Sequence, residues 1–363
     1  MKLLFIPNWR VPRLQSDDAR IQAPDKQVEG QDYWFFKYIR GIESLDIIDI
    51  GRGGLLRPVE RKLKFYIIQP IRAFLRRNRY DVVVSHGAQS GLMYELLASF
   101  VWRKPKHVMF DIGGLNGDKD SALQTRILGY ILRRRPTIVI HSSRQRSMYE
   151  KKYPDLLDRL HFFPFGVDCE YFAQFLTDAA PASVDASPAE EPYVLSFGYA
   201  KRDYDTLIAA WRLLPADCRL RIVGWKPESA EGMPANIEFE GKVPMDELIR
   251  RIRAAHFVVI PLPVFNYSYG QMSFLQSMSL GKCVVVSETV SSYDYLRNAP
   301  GAQLVEPCNA EALAEAIGRY LALPQAELDR LGVANRQFVE THFNEQTMAE
   351  ALERVIATAL VEQ

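Results

Sequence analysis

HFVVIPLPVFNYSYGQMSFLQSMSLGKCVVVSE (256–288) is the stretch on which the fold turns. An apolar run, 256–262, leads through a loop to Gly270, a helical stretch ends at Gly281, and a second apolar run follows at 283–288. Strand, helix and strand in that order make a βαβ unit, which calls for a parallel sheet covered on both faces. Gln271, Phe274, Leu275 and Met278 fall on one helical stripe, and Ser268-Tyr-Gly-Gln271 has the form of a capping box. The loop leaves the strand at the sheet's carboxyl edge. There, free backbone N–H groups and the positive end of the helix dipole attract a phosphate, and Gly270 would let it approach closely. Pattern alone leaves both readings open, a capped buried helix and a phosphate-binding turn.

The same alternation runs along most of the chain. KLLFIP (2–7), DIIDIG (46–51), DVVVSHG (81–87), HVMFDIGG (107–114) and TIVIHSS (137–143) read as buried strands, with QDYWFFKYIRGI and SGLMYELLASFVW as helices between them. It breaks at AQFLTDAAPASVDASPAEEP, where alanine, serine, proline and acids leave little to bury, so 173–192 reads as a linker. It resumes with YVLSFG (193–198), RLRIVGW (219–225), IEFEG (237–241), CVVVSE (283–288) and AQLVEP (302–307). The division is therefore an N-terminal domain, 1–172, a linker, 173–192, and a second domain, 193–344. A last helix at about 345–363 is expected to pack back on the first domain. Each domain reads as a doubly wound, Rossmann-like α/β sheet, with ligands taken between the carboxyl ends of the two.

A chain of 363 residues suits two domains rather than one core. With 48% hydrophobic and 25% charged residues it is globular, and a net charge of +1 gives no reason to expect nucleic acid. Cys169, Cys218, Cys283 and Cys308 are scattered and read as reduced thiols rather than a zinc or disulfide framework. The opening MKLLFIPNWR carries only a short apolar run and reads as a first strand, not a signal peptide. No window suits a membrane span, so the expected location is the cytoplasm. RKLKFYIIQPIRAFLRRNRY (61–80) mixes arginines and lysines with apolar and aromatic residues. Its plainer reading is an amphipathic helix on its own sheet, and the other is peripheral contact with an anionic membrane on the cytoplasmic side.

A second turn supports the phosphate reading. After YVLSF come Gly198, Tyr199, Ala200, Lys201, Arg202 and Asp203, a strand-to-helix turn with adjacent cations suited to a diphosphate. The plainer reading is a solvated turn capped by Asp203. Two such turns at one sheet edge favour a nucleotide. Arg202, taken as an exposed turn residue, would then matter more to turnover than to stability.

The chain here resembles the retaining GT-B glycosyltransferases of family 4. HFFPFGVDCEYF (161–172) is similar to the family's junction between domains, and SFGYAKRDYDTLIAAW to its first glycine turn. IEFEGKVPMDELIRRIRAAHFVVIPL and QSMSLGKCVVVSE match later segments in order and spacing, while DVVVSHG and IVIHSSRQRSMYEKKYP are weaker likenesses. The resemblance implies a GT-B fold, two such domains facing a central cleft. It also implies transfer of a sugar from a UDP- or GDP-linked donor to a hydroxyl of a glycan or lipid-linked acceptor in polysaccharide assembly, with retention. Donor contacts are implied at Gly198, Lys201, Arg202 and Val243, then at Ser268, Tyr269, Gly270, Gln271, Met272 and Gln276.

Departures from the family are specific. Its Glu-x7-Glu acids fall on Ser268 and Gln276; an amide oxygen can still accept from a ribose hydroxyl, whereas a serine cannot replace a charge. Asn266 or Gln271 is the stand-in toward sugar hydroxyls. Tyr199 stands where the family carries arginine, with Arg202 on its lysine position and Lys201 as the substitute cation. His86 ends one strand and Asp111 another, so both face the acceptor side at the carboxyl edge and are the catalytic candidates; for His86 a purely structural role is as good a reading, whereas for Asp111 function is favoured. No cofactor and no metal is expected, since Lys201, Arg202 and the helix dipole would neutralise the leaving group. Two alternatives stay open: a GT-B nucleotide-sugar epimerase and a non-catalytic sugar-nucleotide binder.

Overall fold

A computed structural model of the chain describes residues 1–15, 26–51, 58, 60, 66–102, 105–115, 122–177, 192–229 and 231–361, side chains of 122–125 and 177 excepted. They form two compact units. The first comprises Met1–Pro164, Asn266–Ser268 and Glu345–Gln363, and the second Phe165–Phe265 and Tyr269–Asn344.

In the first unit β1 (Lys2–Ile6), β2 (Ser44–Ile47), β3 (Val82–His86), β4 (Lys106–Asp111), β5 (Thr137–Ile140) and β6 (Leu160–Phe162) form one sheet. It is all parallel in the order β2-β1-β3-β4-β5-β6, with Leu4 opposite Val83 and Val84 opposite Val108. Both faces of β1 are covered. Leu4 and Ile6 pack with Tyr94 and Ala73, while Phe5 lies against Phe36 with ring centroids 4.9 Å apart. That double burial is why the strands read as unbroken apolar runs. The order reverses between β1 and β3, so a ligand crevice is expected where these two strands end.

The second unit repeats the plan with β7 (Tyr193–Phe197), β8 (Arg219–Val223), β9 (Ile237–Glu240), β10 (Val258–Ile260), β11 (Val284–Ser287) and β12 (Ala302–Val305). Its sheet is parallel throughout, in the order β9-β8-β7-β10-β11-β12. Trp211, Phe257, Val259 and Val285 are central to the core on one face. The reversal lies between β7 and β10, and the chain leaves those strands at Gly198 and Pro261. The two glycine turns singled out in the sequence therefore follow the two strands of the switch point.

Several elements differ from the sequence reading. The strand expected at 46–51 runs from Ser44 to Ile47. QDYWFFKYIRGI supplies only a 3₁₀ turn, Trp34–Tyr38, because Trp34, Phe35 and Phe36 are all buried, and an α-helix spaces consecutive side chains around its axis rather than sinking three in a row. Helix α1 (Ile68–Arg76) and a 3₁₀ turn (Arg77–Arg79) account for the basic stretch from residue 68 on; 61–65 lie outside the described residues. Helices α2 (Ala88–Ala98), α3 (Ala122–Leu132) and α4 (Arg146–Lys152) follow in the first unit. Helix α5 (Cys169–Thr177) occupies the start of the expected linker, anchored by the fully buried Phe172 and by Tyr171 against Phe175, 5.2 Å between centroids. The rest of that linker, 178–191, lies outside the described residues.

The second unit holds α6 (Tyr204–Trp211), α7 (Met245–Ala254), α8 (Gln271–Ser279), α9 (Tyr293–Leu296), α10 (Ala310–Leu321) and α11 (Gln325–His342). Helix α12 (Glu345–Val361) counts with the first unit, where Glu345 pairs with Lys37 at 3.2 Å and Glu353 accepts from the Arg40 backbone N–H. Helix α8 ends as its sequence demands: Gly281 takes φ 74° just past the last turn and donates to the Met278 carbonyl. Helix α11 lies against that turn so closely that a Cβ on Gly332 would sit 1.9 Å from the Gly281 carbonyl oxygen. Gly332→Ala is expected to destabilise the chain by about 1–3 kcal/mol through overpacking against rigid backbone. A melting temperature within a degree of the parent would refute this close approach.

Candidate nucleotide site

The site is built on two strand-to-helix turns of the second unit. Gly198 has φ 125° and donates its N–H to the Val223 carbonyl. A Cβ there would stand 2.7–2.8 Å from the Arg202 guanidinium, so only glycine lets that side chain fold back over the end of β7. Asp203 caps α6, accepting from the Thr206 N–H and hydroxyl.

Arg202 is not the solvated residue the sequence suggested. Its Nε donates to Phe197 O at 3.0 Å, its Nη1 to Ala200 O and Lys201 O at 3.2 Å each, and its Nη2 to Ser273 Oγ at 2.6 Å. The guanidinium thus ties the first glycine turn to the opening turn of α8. Burial pulls its pKa below the usual arginine range. Among the described residues it has no carboxylate partner, and it stands at the positive end of a helix, where a cation is unfavourable. A half-buried, forked cation with no counter-charge marks a site for an anion.

Gly270 is the N-cap of α8, left-handed at φ 81° and ψ −6°, with no side-chain cap bond. The expected capping box is therefore absent, because Ser268 Oγ instead donates to Gln145 Oε1 at 2.8 Å and no longer faces the helix end. A Cβ on Gly270 would meet Leu262 at 2.9 Å and lie 3.8 Å from Arg202 Nη1, so the two glycine turns share one small space. Gln271 is only 7% exposed and its Nε2 has no hydrogen-bond partner among the described residues. Buried donors are normally satisfied, which makes this amide a second pointer to a ligand oxygen.

The other residues take distinct places. Lys201, in the left-handed region at φ 54°, holds its ammonium 5.7 Å from the Phe265 ring and 5.8 Å from the Tyr269 ring. Tyr269 donates its hydroxyl to the Pro263 carbonyl and is buried. Gln276 is buried one turn beyond Ser273, Met272 is half-buried, and Val243 is half-buried just after β9. Ser268 groups with the first unit, apart from Tyr269–Gln276. Two candidates were missed: Ser273, visible only as Arg202's partner, and Lys242, whose Nζ lies 3.7 Å over the ring of Tyr199.

On the first unit, His86 lies at that unit's switch point. Its Nδ1 is 3.3 Å from Asn8 Oδ1 and its ring meets Trp9 edge-on at 4.8 Å. Burial, then the neighbouring His141, depress its pKa to about 3. With Asn8 Oδ1 as acceptor, Nδ1 carries the proton of a neutral ring and Nε2 presents a lone pair without a partner among the described residues. Asp111 is fully buried, accepting from the Gly113 and Leu115 N–H groups and from Tyr149 Oη at 2.7 Å, while burial raises its pKa. Gly113 at φ 108° leaves room for the Tyr267 ring, 2.6 Å from where a Cβ would stand. Ser85, His107 and Glu95 form a hydrogen-bonded chain, 2.8 Å at each step, but it is sealed in the core and serves packing. Among the described residues no group of three or more His, Cys, Asp or Glu could hold a metal ion.

Residues 191–322, which contain both glycine turns, match the family model described as Glycosyl transferases group 1. No curated protein matches the chain. Similar solved structures include a glycosyltransferase from Rickettsia africae ESF-5, at 16% identity over 100% of this chain and 99% of that one, TM-score 0.67. Sucrose-phosphate synthase from Thermosynechococcus elongatus aligns at 17% identity over 100% of both chains, TM-score 0.66. Anabaena HepE in complex with UDP aligns at 13% identity over 99% of this chain and 100% of that one, TM-score 0.64. HepE is also known with UDP-glucose. At these identities the likeness is one of fold. The chain has the GT-B fold of two parallel-sheet α/β units, with residues 191–322 matching the Glycosyl transferases group 1 model.

Proposed function

We propose that the chain is a glycosyltransferase that moves a sugar from a UDP- or GDP-linked donor to a hydroxyl of a glycan or lipid-linked acceptor. The observation that carries this reading is Arg202, a half-buried guanidinium without a carboxylate partner among the described residues, at the N-terminus of α8 between Gly198 and Gly270. A diphosphate supplies the missing charge. Arg202, Lys201 and the free N–H groups of α8 neutralise the leaving group as it develops, without a metal ion or cofactor. Gln271 Nε2 donates to a phosphate or sugar oxygen, and Gln276 accepts from the ribose in place of an acid. The group 1 match and the UDP-bound relative of the same fold support a nucleotide sugar as the donor.

The acceptor falls to the first unit. His86 Nε2 accepts a hydrogen bond from the incoming hydroxyl, and a ring with a pKa of about 3 orients that hydroxyl without taking up its proton near neutral pH. The leaving diphosphate takes the proton on the same face of the sugar, which gives retention. Asp111, held by three donors, maintains the Gly113–Gly114 turn beside His86's neighbour Phe110.

A panel of UDP, GDP and ADP tests the donor. At about 100 times its Kd the right nucleotide should add roughly 2.7 kcal/mol of stability. It should protect 198–203 and 270–276 from amide exchange. Protection confined to the first unit would refute the assignment of the donor. Proton NMR of fresh product reads the anomeric configuration, expected to match that of the donor. An inverted product together with complete loss of activity in Asp111→Asn would make Asp111 the general base of an inverting enzyme. Sugar interconversion with no acceptor present would favour an epimerase.

A further inference from the structure

We infer that the first unit carries a docking surface for an anionic bilayer, formed by α1, the turn after α2 and the end of α12. None of its lining residues belongs to the nucleotide site, and it does not depend on the reading of that site. An open depression of about 870 Å³ brings these elements together, lined by Arg77, Tyr80, Trp102, Lys106 and Leu360. Among its lining residues and their near neighbours along the chain are large apolar side chains that the fold leaves in solvent. Trp102 is fully exposed, and Val361, Phe100 and Leu75 are 82%, 73% and 72% exposed. Single exposed leucines are ordinary, but aromatic and aliphatic side chains gathered at one surface are not.

The charge around these groups selects the partner. Arg72, Arg76 and Arg79 are exposed, and Arg77 stacks its guanidinium 4.2 Å over Phe74 while donating to the Phe74 carbonyl. Arg134 donates to the Ser99 carbonyl, at the base of the turn that carries Phe100. The acid lining the depression is Asp81, which accepts from the backbone N–H of Lys2. Tryptophan is favoured at the headgroup boundary, where its ring is apolar and its N–H stays wet, and arginines reach phosphates above it. Apolar knobs ringed by arginines fit acyl chains and anionic headgroups together, the two signals a stable peripheral contact requires. Among the described residues no helix is long and apolar enough to cross the bilayer, so the contact made here is interfacial.

Sedimentation of the full chain with vesicles tests this, using phosphatidylglycerol mixed with phosphatidylcholine against phosphatidylcholine alone. Binding to the anionic vesicles is expected, weakened by at least about tenfold without phosphatidylglycerol and reduced at high salt. The paired change Phe100→Ser with Trp102→Ser should lose at least about tenfold. Arg72→Gln with Arg76→Gln should lose roughly tenfold and flatten the salt dependence. Nucleotide protection of 198–203 should be unchanged in both, which separates failure here from failure of the transferase reading. No binding to anionic vesicles would overturn the inference, as would binding untouched by either pair. A self-association abolished by the aromatic pair, without vesicle binding, would instead make the surface a contact between copies of the chain.

Discussion

Arg202→Ala is expected to weaken nucleoside diphosphate binding about a hundredfold or more and to lower turnover by about 10²–10³, the range seen when one donor to a developing oxyanion is removed. The geometry sharpens the sequence expectation, because Arg202 is no idle turn residue. Its loss strips hydrogen bonds from Phe197 O, Ala200 O, Lys201 O and Ser273 Oγ. Acceptors left unpaired cost about 1–3 kcal/mol. Against this, removal also takes away a cation at the positive end of α8, so the loss in the free protein should stay small beside the loss with nucleotide bound. Unfolding measured with and without UDP separates the two. Arg202→Lys keeps the charge and loses the fork, so it should fall between parent and alanine. If Arg202→Ala binds every nucleotide within about threefold of the parent, the anion site is refuted.

Acidification should unfold the first unit well before the surface carboxylates are fully protonated. His86 and His141 are buried and neutral, with pKa values depressed to about 3 and about 4, in each case chiefly by burial. In the unfolded chain both titrate near the ordinary value of about 6.5. Depressed imidazole pKa values mean that the native state binds fewer protons below that point. Stability is therefore fully present above about pH 6.5 and falls with the pH toward the folded values. Each imidazole contributes a slope of about 1.4 kcal/mol per pH unit, so the pair could remove about 5 kcal/mol between pH 6.5 and 4.5. Buried Asp111 works against this, since its raised pKa favours the folded state as protons are added. That opposing contribution keeps the net loss below what the two histidines would give alone. Urea unfolding at successive pH values gives the slope, and His141→Asn should roughly halve it. A flat profile from pH 7 to 4.5 would show that these rings are not buried and neutral.

Much of the fold was legible because it rests on local periodicity. Apolar runs such as VVVSH and CVVVS can only be strands buried on both faces, and their alternation with helices implies parallel sheets. Both glycine turns were visible for the same reason, since Gly198 and Gly270 are placed by the strands before them. WFF was misread because three buried aromatics in succession look helical in composition while Trp34 turns into positive φ. Ala173–Thr177 was misread because Phe175 and Leu176 are the only large apolar residues at the head of a long polar, alanine- and proline-rich stretch. What only the tertiary structure decided are pairings between residues far apart in the chain. Ser268 bonds to Gln145 instead of capping α8, Arg202 to Ser273, and Asp111 to Tyr149. Gln271 is left with a buried amide nitrogen that nothing in the described chain satisfies. Sequence spacing limits which side chains share an element, but burial and electrostatic imbalance arise where distant elements meet. The fold could thus be read from the chain's own pattern, whereas a guanidinium beside Gly270 with no carboxylate partner among the described residues could be found only once the strands were in place.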